Sequence, residues 1–85
     1  MKLVIEKQAV KRLMRLPPNA RAVMYERLGA IAENPFANHA NVTALKGEKD
    51  RFRLRQGDWR AVYTVDRDAN EVRVLLIEPR GSVYR

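Results

Sequence analysis

The chain has 85 residues, of which 17 are Lys or Arg, 10 are Asp or Glu, one is His and none is Cys. This length predicts a single domain over residues 1–85. The lack of cysteine excludes disulfides, thiolate zinc sites and a cysteine nucleophile, and the single His39 excludes a multi-histidine metal site. The net charge of +7 favours an anionic partner, either nucleic acid or an acidic protein, although positive charge also serves solubility alone.

The first ten residues, MKLVIEKQAV, include charged side chains where a signal peptide would be apolar. No segment reaches the run of about eighteen apolar residues that a membrane-spanning helix requires. We therefore expect a cytoplasmic protein with no membrane partner.

The first half of the chain predicts one strand and two helices. Residues 2–5 alternate as a short strand, residues 6–15 have a helical period, and a second helix runs from Pro18 to about Glu33. Proline suits the first turn of a helix, and Asn34-Pro35 ends the second one. Residues 36–49 show no period and predict a long irregular loop. The side chains expected to face the core are Ala9, Val10, Leu13, Leu16, Ala20, Met24, Leu28 and Ile31.

From Arg51 onward the apolar residues recur with a period of two, which predicts three further strands. Their sequences are RFRLR, DWRAVYTVD and EVRVLLIEP, and turns at Gln56-Gly57 and at residues 67–70 separate them. The third of these segments is almost continuously apolar, as a central strand would be. The predicted fold class is α+β, in the order β-α-α-β-β-β. An N-terminal helical hairpin packs on one face of a small, mainly antiparallel four-stranded sheet.

Arginine is concentrated in the second half, because residues 51–85 contain eight Arg and no Lys. A guanidinium group binds phosphate or carboxylate through two parallel hydrogen bonds, which lysine cannot do. Alternation places three arginines on the side of their strand away from the helices, and Arg60 of the next strand joins them. We call this surface, which carries Arg51, Arg53, Arg55 and Arg60, the arginine face.

A two-residue turn at Gln56-Gly57 predicts which residues of these strands lie opposite each other. It places Arg53 opposite Arg60 and Arg55 opposite Asp58, and it pairs Phe52 with Ala61 and Leu54 with Trp59. Like charges directly opposite each other are unfavourable in a sheet. Either the arginines are fully solvated and tolerate this, or the face binds a polyanion.

The C-terminal segment follows Pro79, which cannot continue a central strand, and Gly81, which permits a tight bend. A short return segment would bring Arg80 and Tyr84 beside the arginine face. Alternatively, the ring of Tyr84 packs against the edge of the sheet.

Three segments resemble the RelE branch of the RelE/ParE toxin superfamily: LKG at 45–47, RFRLRQGDWRAVYTVD at 51–66 and IEPRGSVYR at 77–85. The resemblance implies a small toxin of a type II toxin–antitoxin system that enters the ribosomal A site and cuts mRNA. The implied chemistry is attack by a ribose 2′-OH on the adjacent phosphate, giving a cyclic phosphate and a 5′-OH. Neither a metal nor a cofactor is implied.

The resemblance also carries the family's catalytic positions onto Arg51, Arg53, Arg60, Arg80 and Tyr84. The expected contacts to RNA or rRNA are Lys46, Lys49, Arg55, Arg73 and Arg85.

Two departures from the family pattern bear on the chemistry. The best-known member has lysines where this chain has Arg51 and Arg53, and arginine does not release a proton near neutral pH. Proton transfer then falls to Tyr84, with Lys46, Lys49 and His39 in reserve. The residues on either side of Arg80 are basic or polar in many relatives. Here they are Pro79 and Gly81, which lowers the positive charge in this segment.

A further implication is a cognate RelB-like antitoxin, partly disordered when free, whose acidic and apolar residues cover the basic surface. If the predicted pairing continues into the last strand, Leu75 and Ile77 lie on the arginine face and offer that antitoxin an apolar strip. Operator DNA would be bound only through the antitoxin complex. Two alternatives remain: a ParE-like toxin that inhibits DNA gyrase by binding, without RNase activity, and a degenerate RNA-binding or regulatory module.

Overall fold

A computed structural model describes residues 1–79 of the chain. These residues form two helices and five strands, and the predicted first strand and both predicted helices agree with them to within one residue. The elements in chain order are β1 (Lys2–Ile5), α1 (Lys7–Arg15), α2 (Pro18–Glu33), β2 (Val42–Ala44), β3 (Arg51–Gln56), β4 (Trp59–Asp66) and β5 (Glu71–Pro79).

The strands form one sheet in the order β1-β5-β4-β3-β2. β1 runs parallel to β5, whereas the other neighbouring strands are antiparallel. The predicted α+β class and the mainly antiparallel sheet are thereby confirmed. The predicted strand number is wrong, because Val42–Ala44 pairs with β3 inside the segment expected to be an irregular loop. Three residues are too few to show a period of two, so the sequence pattern did not reveal this strand.

The core lies between the two helices and one face of the sheet. Val10 was expected there but is 40% exposed, because the buried side of α1 consists of Ala9 and Leu13, and Leu16 is buried just after the helix ends. The other helical core residues are Met24, Leu28, Ile31 and Ala32, and the sheet contributes Leu54, Ala61, Tyr63, Val65, Val72, Val74 and Ile77.

The hairpin between β3 and β4 turns at Gly57-Asp58, not at Gln56-Gly57. Gly57 has φ +59, a conformation that glycine adopts without steric cost, so Gln56 remains in the strand and pairs with Trp59. The pairing is therefore shifted by two residues from the predicted one. Because a shift of two preserves the alternation, the two faces were predicted correctly although the individual partners were not.

The corrected pairs change the arginine face. Arg55, not Arg53, lies opposite Arg60, and Arg53 faces Val62. Asp58 is part of the turn, so its predicted pairing with Arg55 is wrong.

A β-bulge in β5 overturns one further expectation. Val62 pairs with Leu76 and Tyr63 pairs with Val74, which leaves Leu75 without a direct partner on β4. Because of this extra residue, the side chains of β5 after Leu75 point to the faces opposite to those that simple alternation predicts. Ile77 consequently points into the core and is fully buried, and Leu76 takes the place on the arginine face that was predicted for Ile77.

Candidate functional site

The arginine face is the side of the sheet opposite the helices. Arg51, Arg53 and Arg55 alternate along β3 with the core residues Phe52 and Leu54, which fixes the direction in which the arginines project. Neighbouring residues on the same face are Thr43 beside Arg53, Thr64 beside Arg51, and Glu78, which pairs with Arg60 across β4 and β5. Four of the predicted site residues are thus brought onto one surface by two strands.

Arg60 is the most enclosed of these arginines, with 6% of its surface exposed. It lies in the middle of the sheet, between Arg55 of β3 and Glu78 of β5. Burial restricts the rotamers of a long side chain, so this guanidinium is held in a narrow range of orientations. A fixed positive charge of this kind can stabilise negative charge without having to reorganise.

The arginines of β3 differ in how their charge is compensated. Arg51 lies 3.7 Å from Glu48 (Nη1 to Oε1), a solvent-exposed pair that contributes little. Within residues 1–79, Arg53 and Arg55 form no ion pair. The positive potential of the face is therefore least compensated next to β2.

Arg73 lies on the same face of the sheet but has a different environment. It donates hydrogen bonds to Glu6 at 3.0 Å and to Glu71 at 2.7 Å. The bond to Glu6, and then the bond to Glu71, raise the pKa of Arg73 above its ordinary value. The carboxylates of Glu6 and Glu71 thus offset the positive charge of Arg73, which was predicted to contact RNA.

The connection between β2 and β3 carries the two predicted lysines. Lys46 and Lys49 are both exposed there, on either side of Gly47, which has φ +78. The amide of Leu45 donates to the carbonyl of Arg51 at 2.9 Å, which closes this loop over the start of β3. Both lysines are therefore held near the end of β3 where Arg51 begins the arginine face.

The sequence pattern missed a pair of charged residues that supports this loop, which we call the Asp50–Arg67 pair. Arg67 donates through Nε to Asp50 Oδ2 at 2.9 Å and through Nη2 to Oδ1 at 3.3 Å, and its guanidinium carbon lies 4.3 Å above the centre of the Phe36 ring. The hydrogen bond from Arg67 lowers the pKa of Asp50 below its ordinary value. No sequence motif indicates this contact, because the partners are 17 residues apart in turns of different hairpins.

His39 is separated from the arginine face. Its Nε2 lies 2.8 Å from the carbonyl oxygen of Asn34, and the ring lines a cavity of about 200 Å³ with Val42, Ala44 and Phe52. Phe52 faces the helices, so His39 lies on the opposite side of the sheet edge from Arg53. This placement argues against His39 as a proton carrier at that face.

Three predicted site residues, Arg80, Tyr84 and Arg85, lie outside the described residues. Within residues 1–79, no group of three or more His, Cys, Asp or Glu side chains is arranged to hold a metal ion. Neither described helix has the length and apolar character needed to cross a membrane.

Comparison with known proteins identifies relatives of this fold. The family model described as the ParE toxin of the type II toxin–antitoxin system parDE matches residues 3–84. No match was found among curated proteins.

Several solved structures are similar over almost the whole chain. The archaeal RelE–RelB complex from Pyrococcus horikoshii matches with a TM-score of 0.81 and 30% identity, covering 95% of this chain and 96% of that one. The isolated RelE toxin of E. coli matches with a TM-score of 0.80 and 25% identity, covering 98% and 89%. The RelBE2 toxin–antitoxin complex from Mycobacterium tuberculosis matches with a TM-score of 0.75 and 25% identity, covering 93% and 96%. With its two helices, its mixed sheet and its arginine face, the chain belongs to the RelE/ParE superfamily of type II toxin–antitoxin toxins.

Proposed function

We propose that this toxin is a metal-independent endoribonuclease that cuts mRNA in the ribosomal A site and so stops translation in the cytoplasm. The observation that carries the proposal is the arginine face, where Arg51, Arg53, Arg55 and Arg60 project from two adjacent strands. Guanidinium groups at such spacing suit the phosphates of RNA. The similarity to solved RelE toxins supports the same activity.

The proposed reaction needs positive charge more than it needs a metal. The ribose 2′-oxygen attacks the adjacent phosphorus, the bond from phosphorus to the 5′-oxygen breaks, and a 2′,3′-cyclic phosphate and a 5′-OH result. Extra negative charge develops on the phosphate oxygens. We assign its stabilisation to the guanidinium groups of Arg51, Arg53 and Arg60, together with Arg80, which lies outside the described residues. The ribosome adds the in-line alignment of the 2′-OH.

Proton transfer is the second requirement, because the 2′-OH must lose a proton and the 5′-oxygen must gain one. Arginine keeps its proton at neutral pH, so the arginine face supplies charge but no base. We assign the transfer to Tyr84, the tyrosine that the resemblance to RelE toxins includes among the catalytic positions. Lys46 and Lys49 lie next to the start of β3 and remain the alternative carriers.

The toxin also requires a partner that silences it. The structural relatives include complexes of RelE with the antitoxin RelB. We propose a RelB-like antitoxin whose acidic residues bind the arginine face, with Leu76 and Val62 offering apolar contacts in the middle of it. Any operator DNA would be bound through this complex.

Inhibition of DNA gyrase is the second candidate, and the observation that favours it is the match to the ParE family model. Inducible expression followed by mapping of mRNA 5′ ends separates the two. We expect cuts at a constant position within codons for the wild type, and no cuts for Arg60→Ala. Intact mRNA together with blocked DNA supercoiling would establish gyrase inhibition instead.

A further inference from the structure

A polar pocket at the edge of the arginine face is not accounted for by the reaction above. It has a volume of about 190 Å³ and is lined by Asn41, Thr43, Arg53 and Arg55. It lies where β2 and β3 meet, one strand away from Arg60.

The sheet register explains why these four side chains converge. Thr43 is paired with Arg53. The amide of Arg55 donates to the carbonyl of Asn41 at 2.9 Å, so the β2–β3 pairing extends one residue beyond Val42 and places Asn41 opposite Arg55. Arg53 and Arg55 lie two residues apart on β3 and share a face, with Thr43 and Asn41 opposite them, so the pocket consists of two adjacent cross-strand pairs. Each pair joins one arginine to one uncharged hydrogen-bonding side chain.

The backbone around the pocket is anchored from the helix side. Arg27 of α2 donates through Nη1 to Gln56 Oε1 at 2.9 Å and through Nη2 to the carbonyl of Ala40. These bonds hold the residue before Asn41 and the last residue of β3 at the same time. Asn41 itself has φ +62, so its side chain leaves the backbone in a direction that an extended residue would not take. The backbone that carries the pocket side chains is therefore anchored on both strands.

The charge in the pocket selects an anion. Arg53 and Arg55 have no carboxylate partner within residues 1–79. On the neighbouring strand β4, the residue opposite Arg55 is Arg60, which is also positively charged. Guanidinium, hydroxyl and amide groups are the side chains that proteins use to bind backbone phosphates.

We propose that Asn41, Thr43, Arg53 and Arg55 form a second phosphate site, which holds the RNA backbone phosphate next to the one that is cut. The inference rests on the proposed RNase function. Arg53 has five N–H donors and serves both phosphates, whereas Asn41, Thr43 and Arg55 position the substrate without touching the reacting atoms. The site orients the chain so that the scissile phosphate meets Arg60.

The first test needs no RNA. Inorganic phosphate is titrated into the full-length ¹⁵N-labelled protein, and we expect saturable amide shifts confined to the four pocket residues. Thr43→Val, which keeps the side-chain shape, and Arg55→Gln should each raise the half-saturating phosphate concentration about tenfold, because each removes a hydrogen bond to a charged group. Arg12→Gln on α1 removes the same charge from the helix side and should have no effect. Shifts that spread over all basic residues without saturating would overturn the site.

The second test uses synthetic mRNAs on ribosomes, in which single phosphates are replaced by uncharged methylphosphonates. For the wild type, one replacement beside the cut should raise the half-saturating toxin concentration in single-turnover cleavage about tenfold, and for Arg55→Gln the same replacement should have a clearly smaller effect, because one of the contacts to that phosphate is already lost. Independent, additive effects of the replacement and the substitution would contradict the inference.

Two other outcomes separate the possible failures. If phosphate saturates the pocket but wild-type protein cuts no mRNA, the proposed RNase function is wrong and the phosphate site stands. If Thr43→Val and Arg55→Gln weaken antitoxin binding tenfold but leave cleavage unchanged, the occupant is an antitoxin carboxylate and the proposal is overturned.

Discussion

Arg60 illustrates how one residue combines burial with charge. It lies in a central strand, is almost enclosed, and stands between another arginine and a glutamate. Long basic side chains are rarely buried to this extent, and a buried charge must be held by surrounding polar groups. Such a residue is costly to keep for stability alone, which is consistent with a role in binding phosphate.

Replacement of Arg60 by lysine tests the shape of the group separately from its charge. Arg60→Lys keeps the positive charge but loses the two-pronged guanidinium, so we expect the single-turnover cleavage rate to fall about 10²-fold. The measurement is cleavage at saturating toxin, with thermal unfolding to confirm that the variant folds. Arg12→Lys, at an exposed position of α1, is the matched control. A rate equal to that of the wild type would remove Arg60 from the reaction.

Tyr63 is a second buried residue with a polar atom. Its ring stacks on Phe52 with the centroids 5.4 Å apart, and its hydroxyl group has no hydrogen-bond partner within the described part of the chain. Burial raises the pKa of Tyr63 from 10.0 to about 12. Tyr63 is fully buried in the core on the helix side of the sheet, so its phenol is not accessible to a substrate on the arginine face.

Tyr63→Phe should consequently be harmless at neutral pH and beneficial at high pH. Removing an unsatisfied buried hydroxyl should leave the free energy of unfolding unchanged or raise it by up to about 1 kcal/mol. In the wild type the unfolded phenol ionises first, so stability should fall as the pH rises from 10 towards 12. Urea unfolding across this range should show a smaller loss for Tyr63→Phe, and equal losses in both proteins would contradict the burial argument.

At the scale of elements, the Asp50–Arg67 pair joins the loop before β3 to the turn between β4 and β5. Asp50 has φ +55, and its carbonyl accepts hydrogen bonds from the amide of Val65 at 2.9 Å and from the hydroxyl of Thr64 at 3.2 Å. The backbone of this one residue thus sets where β3 begins against β4. Its side chain then fixes the neighbouring turn.

Asp50→Asn removes the charge while preserving a residue type that tolerates positive φ. We expect the urea midpoint to fall at pH 7, because the wild-type carboxylate has a lowered pKa and stabilises the fold whenever it is ionised. That stabilisation is present above the ordinary pKa of 3.8 and is lost as the pH falls through the lowered value. The difference between the two proteins should therefore vanish in acid.

Asp68→Asn provides the control for this measurement, because Asp68 is an exposed carboxylate in the same turn as Arg67. It should leave the urea midpoint at pH 7 unchanged. If Asp50→Asn behaved in the same way, the ion pair would have no part in stabilising the loop.

The elements also show how far a sequence pattern reaches. The period of 3.6 in α1 was sufficient to predict that helix, and α2 was predicted from the helical spacing of Met24, Leu28 and Ile31 between Pro18 and Asn34-Pro35. The alternation of β3 and β4 was sufficient to predict the arginine face, because a shift of two residues in the pairing leaves every side chain on the same face of the sheet. The partners within that face depended on which residues Gly57 leaves in the turn, and the place of Ile77 depended on the bulge at Leu75. Neither is a periodic feature, so neither was visible in the pattern.

At the scale of the whole molecule, the charge of +7 is divided between two surfaces. α1 exposes a basic side formed by Lys7, Lys11, Arg12 and Arg15 on the helix side of the sheet. The arginine face lies on the other side, so the two surfaces cannot bind the same short stretch of RNA. Net charge alone does not say which of the two surfaces would bind the proposed RNA substrate.

Two double variants of equal charge answer that question. Lys7→Gln with Lys11→Gln, and Arg53→Gln with Arg55→Gln, each lower the net charge by two. For binding of a single-stranded oligoribonucleotide that cannot be cut, we expect the second pair to reduce the salt slope of log K by about 1.4, roughly 0.7 for each phosphate that is no longer neutralised. The first pair should leave the slope near that of the wild type. Equal reductions would mean that diffuse charge, not the arginine face, binds RNA.

The position of β5 in the sheet affects the synthesis of the toxin itself. β5 is the last strand in the described part of the chain, yet it lies between β1 and β4, and β1 has it as a parallel partner. Until residues 71–79 have been translated, the first strand has no neighbour and α1 has no sheet to pack against. A nascent chain that is still growing therefore lacks the rigid frame that orients Arg60. Under the proposed function, the growing chain is therefore inactive until β5 has been made, and the antitoxin is needed only from that moment.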